Sequence, residues 1–272
     1  WVIFPAIIGC ATMISEGFIT TAISVTSAVE GLRTINPEIS TNTIVTIVVV
    51  ILVGLFLFQQ FGSGVVGRIF GPIMVIWFSF IATIGFIQLM ENTRVLVALN
   101  PVYAINLLTK YPGGFWLLGA VFLCTTGAEA MYSDLGHVGK SNIRVGWGFV
   151  KVALILSYFG QGAWLLNHEG QTLDGMIPFF EIIPVKLKLF GILIATLAAI
   201  IASQGLISGT FTLVNEAMKL KLWPATRVRY PSQIMGQIYI PAINWILLCG
   251  CILVVYVFRE SSRMEGAYGL AI

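Results

Sequence analysis

Two glutamates stand inside long apolar runs of this chain, and each has hydroxyl residues near it at helical spacing. Thr20 and Ser24 follow Glu16 at four-residue steps, and Thr126 precedes Glu129 by three residues. Residues three or four apart share one face of an α-helix, so each glutamate heads a polar stripe. A carboxylate facing hydrocarbon costs several kcal/mol, from about 2.5 to 10 or more. Both glutamates should therefore face protein or water.

Such stripes have the chemistry of a site for a desolvated hard cation, which prefers oxygen ligands. Gly17 and Gly127 lie beside the glutamates and weaken the helix, so that backbone carbonyls can turn toward a ligand. Burial favours the protonated carboxyl and a bound cation favours the charged form, so Glu16 and Glu129 are also candidates for proton coupling. The alternative is a protonated glutamic acid that hydrogen-bonds a neighbouring helix and only holds the bundle together.

The composition predicts the elements that carry these stripes. Of the 272 residues, 57% are hydrophobic and 10% are charged, against about 25% charged in soluble domains. The chain is therefore predicted to be an all-α, multi-pass protein of the lipid bilayer, because exposed strand edges cannot exist in hydrocarbon. The net charge of +3 is too small to suggest a nucleic-acid partner. Isolated histidines and cysteines without a Cys-x-x-Cys pair suggest neither a metal centre nor another cofactor.

The apolar runs predict one transmembrane domain over residues 1–272. Seven runs approach spanning length and an eighth begins at the end; they are 2–29, 43–58, 72–90, 115–133, 145–166, 189–214, 238–258 and 266–272. The glycines within 158–162 predict close helix packing, with Gln161 as a candidate for a bond across that interface. The basic cluster within 219–230 predicts a cytoplasmic loop. Because the chain starts and stops inside apolar runs, we expect a piece of a longer protein.

Other functional classes are disfavoured by what the sequence contains. An intramembrane enzyme would need a catalytic motif, and the sequence has neither His-Glu-x-x-His nor Gly-x-Gly-Asp. A structural or receptor-like module would not need two buried carboxylates with hydroxyl companions on separate spans. The sequence therefore favours a secondary transporter over an enzyme.

Several stretches, in this order along the chain, resemble the Kup/HAK/KT family of potassium uptake transporters. They are ITTAISVTSAVEGL at 19–32, 66–72, TGAEAMYSDLGH at 126–137, 158–163, 201–204, 236–241, 244–245 and 267–271. The resemblance implies potassium uptake across the plasma membrane, usually by K+/H+ symport. It also implies the inverted-repeat, LeuT-like fold of the amino acid–polyamine–organocation superfamily, in a fragment lacking the first two and last helices. The alternative is an amino-acid or polyamine carrier of the same fold, and a homodimer is kept as a candidate assembly.

The resemblance also implies which residues contact the potassium ion. The matching positions are Glu16, Thr20, Ser24, Thr126, Glu129 and Tyr268. One motif departs from the family pattern: the usual Gly-Asp-Gly-x-x-Thr-Pro reads SEGFITT at 15–21. A glutamate reaches one methylene further than an aspartate, so the coordination distance could differ, and the helix after Thr20 should be more regular without the proline.

Overall fold

The computed structural model describes residues 3–61, 67–124, 140–173, 175–230 and 238–271. In these ranges the regular structure is helical, apart from one isolated antiparallel bridge between Arg229 and Tyr239. The α-helices are α1 (Ile3–Glu30), α2 (Thr41–Phe58), α3 (Gly67–Glu91), α4 (Pro101–Lys110), α5 (Gly114–Leu123), α6 (Lys140–Asn167), α7 (Pro178–Glu181), α8 (Val185–Lys219), α9 (Pro241–Phe258) and α10 (Ser261–Ala271). Short 3₁₀ turns follow α1, α2 and α3, at Gly31–Thr34, Gln59–Phe61 and Thr93–Leu99.

Five of these helices are long and apolar enough to cross a membrane, by length and composition. They are Thr41–Phe58, Ile69–Glu91, Ser141–Asn167, Val185–Lys219 and Pro241–Phe258. The prediction of an all-α chain with several membrane-crossing helices is confirmed for the described residues. Helix α3 begins at Gly67, before the predicted span at 72–90, so Pro72 lies inside the helix, beyond its first turn. Proline has no amide hydrogen, so one bond of the helical ladder is missing there.

Helix α1 is the centre of the larger packing unit and contacts α2, α8, α9 and α10. Its residues Ala22, Val25 and Val29, spaced three and four apart, are buried in one apolar core. That core also takes side chains from the four neighbouring helices, including Leu52, Phe211, Leu247 and Met264. Because the core surrounds α1, the polar residues of α1 are held in a fixed orientation.

The directions of the neighbouring helices follow from their contacts with α1. Gly17, in the middle of α1, lies against Thr210, near the end of α8, whereas Gly31 lies under Phe180, just before α8 begins. Helix α8 is therefore antiparallel to α1. Gly250 of α9 lies against the ring of Phe18. Since α9 then ends near the end of α1, these two helices run parallel.

Helices α3 and α6 form a second, tighter pair. A Cβ added to Gly160 of α6 would lie 2.5 Å from the Cα of Gly85 in α3, and one added to Gly85 would lie 2.4 Å from the carbonyl oxygen of Leu156. The two backbones therefore touch, which agrees with the close packing predicted from the glycines of 158–162. For Gln161, the candidate for a bond across this interface, the bond observed among the described residues stays within its own helix: Nε2 donates to Ser157 Oγ, at 3.2 Å.

Candidate functional site

The structure puts the predicted stripe of α1 in a mostly buried setting. Glu16 is only 5% exposed, and Thr20 and Ser24 are half-buried on the following two turns. At a rise of about 1.5 Å per residue, the stripe extends over roughly 12 Å along the helix. Glutamate is almost never buried to this degree unless its charge is compensated or protonated. The position therefore suits a carboxyl that binds either a cation or a proton.

Thr20 is unusual among the threonines of the described helices. Its Oγ1 is buried and has no hydrogen-bond partner among the described residues. Thr26, Thr196 and Thr210 instead donate to the carbonyl four residues earlier, at 2.8, 2.8 and 3.0 Å. Leaving a buried hydroxyl unpaired costs about 1–3 kcal/mol, so such a group calls for a specific explanation. One explanation is that the Thr20 hydroxyl is an oxygen ligand for a cation. This explanation agrees with the position of the Glu16 carboxyl, one turn away on the same helix.

Thr21 is a second unpaired hydroxyl that sequence reasoning did not place in the site. It is fully buried, and its Oγ1 also lacks a partner among the described residues. The sequence marked it only as a departure from the proline of the family pattern. The signal that could have found it was its type: a hydroxyl residue in an apolar helix needs a partner, and the usual one is the carbonyl four residues earlier. Thr21 makes no such bond to Gly17.

The backbone of α1 beside Glu16 is held from two sides. Gly17 has no side chain, so α8 approaches closely; a Cβ there would lie 3.2 Å from Thr210 Oγ1. On the other side, Cys251 of α9 donates its thiol to the carbonyl oxygen of Phe18, at 3.4 Å. That carbonyl therefore has a second partner in addition to the helix ladder. These contacts fix α1 at the level where Glu16 and Thr20 project.

Tyr268 lies on α10, which packs directly against α1. It is half-buried, and Met264, one turn earlier on α10, is fully buried in the core. Residues four apart share a helix face. The structure therefore brings together the two described helices that carry predicted site residues.

Thr126 and Glu129 fall within 125–139, outside the described residues. The chain enters that stretch beside α10, because Leu123, the last residue of α5, lies 3.7 Å from the position that a Cβ would take on Gly269. Tyr158 of α6 also donates its hydroxyl to the carbonyl of Cys124, at 3.0 Å. The contribution of Thr126 and Glu129 to the site stays a prediction.

Asn244 is a further buried polar residue that sequence reasoning noted only as part of a resembling motif. It is 1% exposed, and its Nδ2 donates to the carbonyl of Phe56 in α2, at 3.2 Å. Its Oδ1 has no partner among the described residues. Asn244 thus links α9 to α2 in the core. Nothing in its sequence context distinguished this role from that of an exposed asparagine.

The chain is similar to known membrane proteins along its whole length. The sequence model of the K+ potassium transporter integral membrane domain matches residues 1–272. The chain is 56% identical over 277 residues to a probable potassium transport system protein Kup of Flavobacterium psychrophilum. The match covers 100% of this chain and 42% of that protein. The protein of the same name from Cytophaga hutchinsonii is 58% identical over 275 residues, covering 99% and 41%.

A more distant relative gives the same result. The probable potassium transport system protein Kup 1 of Lactococcus lactis is 53% identical over 280 residues, covering 100% of this chain and 42% of that protein. The chain thus spans about two fifths of the length of these curated relatives. No solved structure matches it significantly.

Proposed function

Because the chain belongs to the family of K+ potassium transporter integral membrane domains, we propose that it forms part of a carrier for potassium uptake across the plasma membrane. The family is one of multi-pass membrane transporters, not of enzymes. The proposal includes the LeuT-like inverted-repeat fold, in which α1 corresponds to the third helix. It also includes K+/H+ symport as the driving force.

The observation that carries the proposal is the stripe of α1. A nearly buried glutamate, Glu16, lies one turn from Thr20, whose buried hydroxyl has no partner among the described residues. Potassium coordination requires several oxygens that replace the hydration shell. Glu16, Thr20 and Ser24 supply such oxygens from α1, and the proposal adds Thr126, Glu129 and Tyr268 from other helices. One ionised carboxylate would balance the charge of one monovalent cation.

Potassium uptake by the complete protein tests this function. Expressed from its complete gene in a bacterium that lacks its own potassium uptake systems, the protein is expected to restore growth at limiting potassium. Initial rates of potassium accumulation, measured by flame photometry against an empty vector, give the activity. Arginine or putrescine in excess should not compete. Uptake of either compound, without potassium uptake, would contradict the proposal and favour the amino-acid or polyamine carrier.

We expect Glu129→Gln to abolish proton movement coupled to potassium. In proteoliposomes of the complete protein, potassium added outside should acidify the lumen, since both ions move inward together. Glutamine keeps the size of the side chain and cannot release a proton, so the acidification should disappear. The measurement uses a lumenal pH dye.

The matched control is Glu169→Gln, which removes an exposed carboxylate and should leave the acidification intact. Unchanged acidification in the Glu129→Gln protein would contradict the proposed coupling role. Potassium uptake driven by a sodium gradient, without acidification of the lumen, would replace proton coupling by sodium coupling.

A further inference from the structure

The last residue of α1 makes a contact that the predicted ion site does not use. Glu30 is only 7% exposed. Its Oε1 accepts a hydrogen bond from the backbone amide of Ser261, at 3.0 Å, and its Oε2 accepts one from the Ser261 hydroxyl. Ser261 is the first residue of α10. A carboxylate from α1 therefore holds the N-terminus of α10, where the helix dipole favours negative charge.

The two ion pairs of Glu260, at this end of the bundle, are more exposed. Glu260 pairs with Arg263 at 3.2 Å and with Arg33 at 3.8 Å, and these side chains are about one-third to two-thirds exposed. Surface pairs of this kind add little, because water and salt screen them. Glu30 is thus the principal buried link between the end of α1 and the start of α10.

The contact between Glu30 and Ser261 lies between an open cavity and the hydroxyl stripe of α1. A cavity of about 700 Å³ is lined on this side by Glu30, Ser261 and Ser262, with Arg33, Glu181 and Glu260 around it. On the helix, Ser27 and Ser24 precede Glu30 at three-residue steps and lead toward Thr20 and Glu16, so each residue of this series lies on nearly the same face as the next, and Ser27 and Ser24 are half-buried. The carboxylate of Glu30 therefore stands where this face meets the cavity.

We propose that the contact between Glu30 and Ser261 is a gate that separates this cavity from the hydroxyl stripe of α1 and positions α10 against it. As an ion gate it rests on the proposed function. A carrier must close its site on one side before it opens on the other. Here a small movement of the first turn of α10 breaks both hydrogen bonds together, which exposes Ser27 and then Ser24 to the cavity. Glu30 is a positioning residue in this proposal, because it acts through α10 and Tyr268.

The gate is assigned to the outer side of the membrane. Helix α8 runs antiparallel to α1, so the basic segment that follows it, with Lys219, Lys221, Arg227 and Arg229, stands at the opposite end of the bundle from Glu30. The positive-inside rule puts that basic segment in the cytoplasm. A reagent that cannot cross the membrane should therefore reach the gate from outside.

Accessibility of Ser27 tests the gate directly. With Ser27→Cys introduced in the complete gene, cells are treated from outside with a cationic, membrane-impermeant methanethiosulfonate, and the rate of labelling is measured. Cells without Ser27→Cys give the background from native cysteines. Adding Ser261→Ala removes one hydrogen bond to a charged group, so the rate should rise roughly tenfold. Ser261→Thr keeps the hydroxyl and should restore the slow rate.

Ser262→Ala is the matched control, because Ser262 lines the same cavity and no hydrogen bond to Glu30 is observed for it within the described residues. Glu30→Gln should raise the rate as well; if it does not fold, the Ser261 series still decides. Equal rates in the Ser261→Ala and Ser262→Ala proteins, or a slower rate in the former, would overturn the gate. Labelling does not require potassium transport, so a failed gate and a failed transport function give different results.

Discussion

Replacing Glu16 by glutamine is expected to abolish potassium uptake by the complete protein while leaving it folded. Glutamine has nearly the same size and keeps one oxygen, so the packing of α1 should survive. In the proposed site it removes the charge that would balance the cation, at a position where the side chain is only 5% exposed. Removing one partner of a buried charge pair costs about 3–5 kcal/mol, which corresponds to about 100-fold or more in affinity. The measurement is the initial rate of potassium accumulation over a range of concentrations.

Two variants make the result specific. Glu38→Gln removes an exposed carboxylate from the loop after α1 and should leave uptake unchanged. Glu16→Asp keeps the charge with a shorter reach, so uptake should persist with an altered apparent affinity for potassium. Normal uptake in the Glu16→Gln protein, at expression equal to that of the parent, would show that this carboxyl does not bind the ion and only holds the bundle together.

Replacing Gly160 by alanine is expected to cause a large loss of stability. The added Cβ would lie 2.5 Å from the Cα of Gly85 and 2.6 Å from its carbonyl oxygen. These are backbone atoms, so no side-chain rotation relieves the clash, and the two helices must separate. Overpacking of this kind costs about 2 kcal/mol or more, or roughly 5 °C in melting temperature for a chain of this size. Thermal unfolding of the purified protein in detergent measures it.

Gly148→Ala in the same helix is the control, because nothing lies within 4 Å of a Cβ at that position. There alanine should be neutral or stabilising, since glycine costs about 0.5–1 kcal/mol in a helix interior. Gly162→Ala should fall between the two, because its Cβ would meet only the Val95 side chain, at 2.9 Å. A melting temperature equal for the Gly160→Ala and Gly148→Ala proteins would mean that the close approach of α3 and α6 does not support the fold.

The sequence alone determined that the chain is helical and that several of its helices are apolar enough to cross a membrane, because both properties depend on local composition and period. It also determined that Glu16, Thr20 and Ser24 share a face, since that follows from 3.6 residues per turn. The family was identified from motifs of contiguous residues. Helix ends were less certain: the structure begins α3 at Gly67, before the proline that suggested its start.

Only the tertiary structure decided which faces meet. The glycines near Gly160 predicted that another helix packs closely there. Their partner, Gly85, lies on a separate helix and shares no local sequence pattern with them. Gln161 could have bonded either across that interface or within its own helix, and among the described residues its Nε2 bonds within its own helix. Nothing local to Glu30 pointed to its partner Ser261, which is 231 residues away. Contacts at such separation depend on how whole helices pack, which no local period encodes.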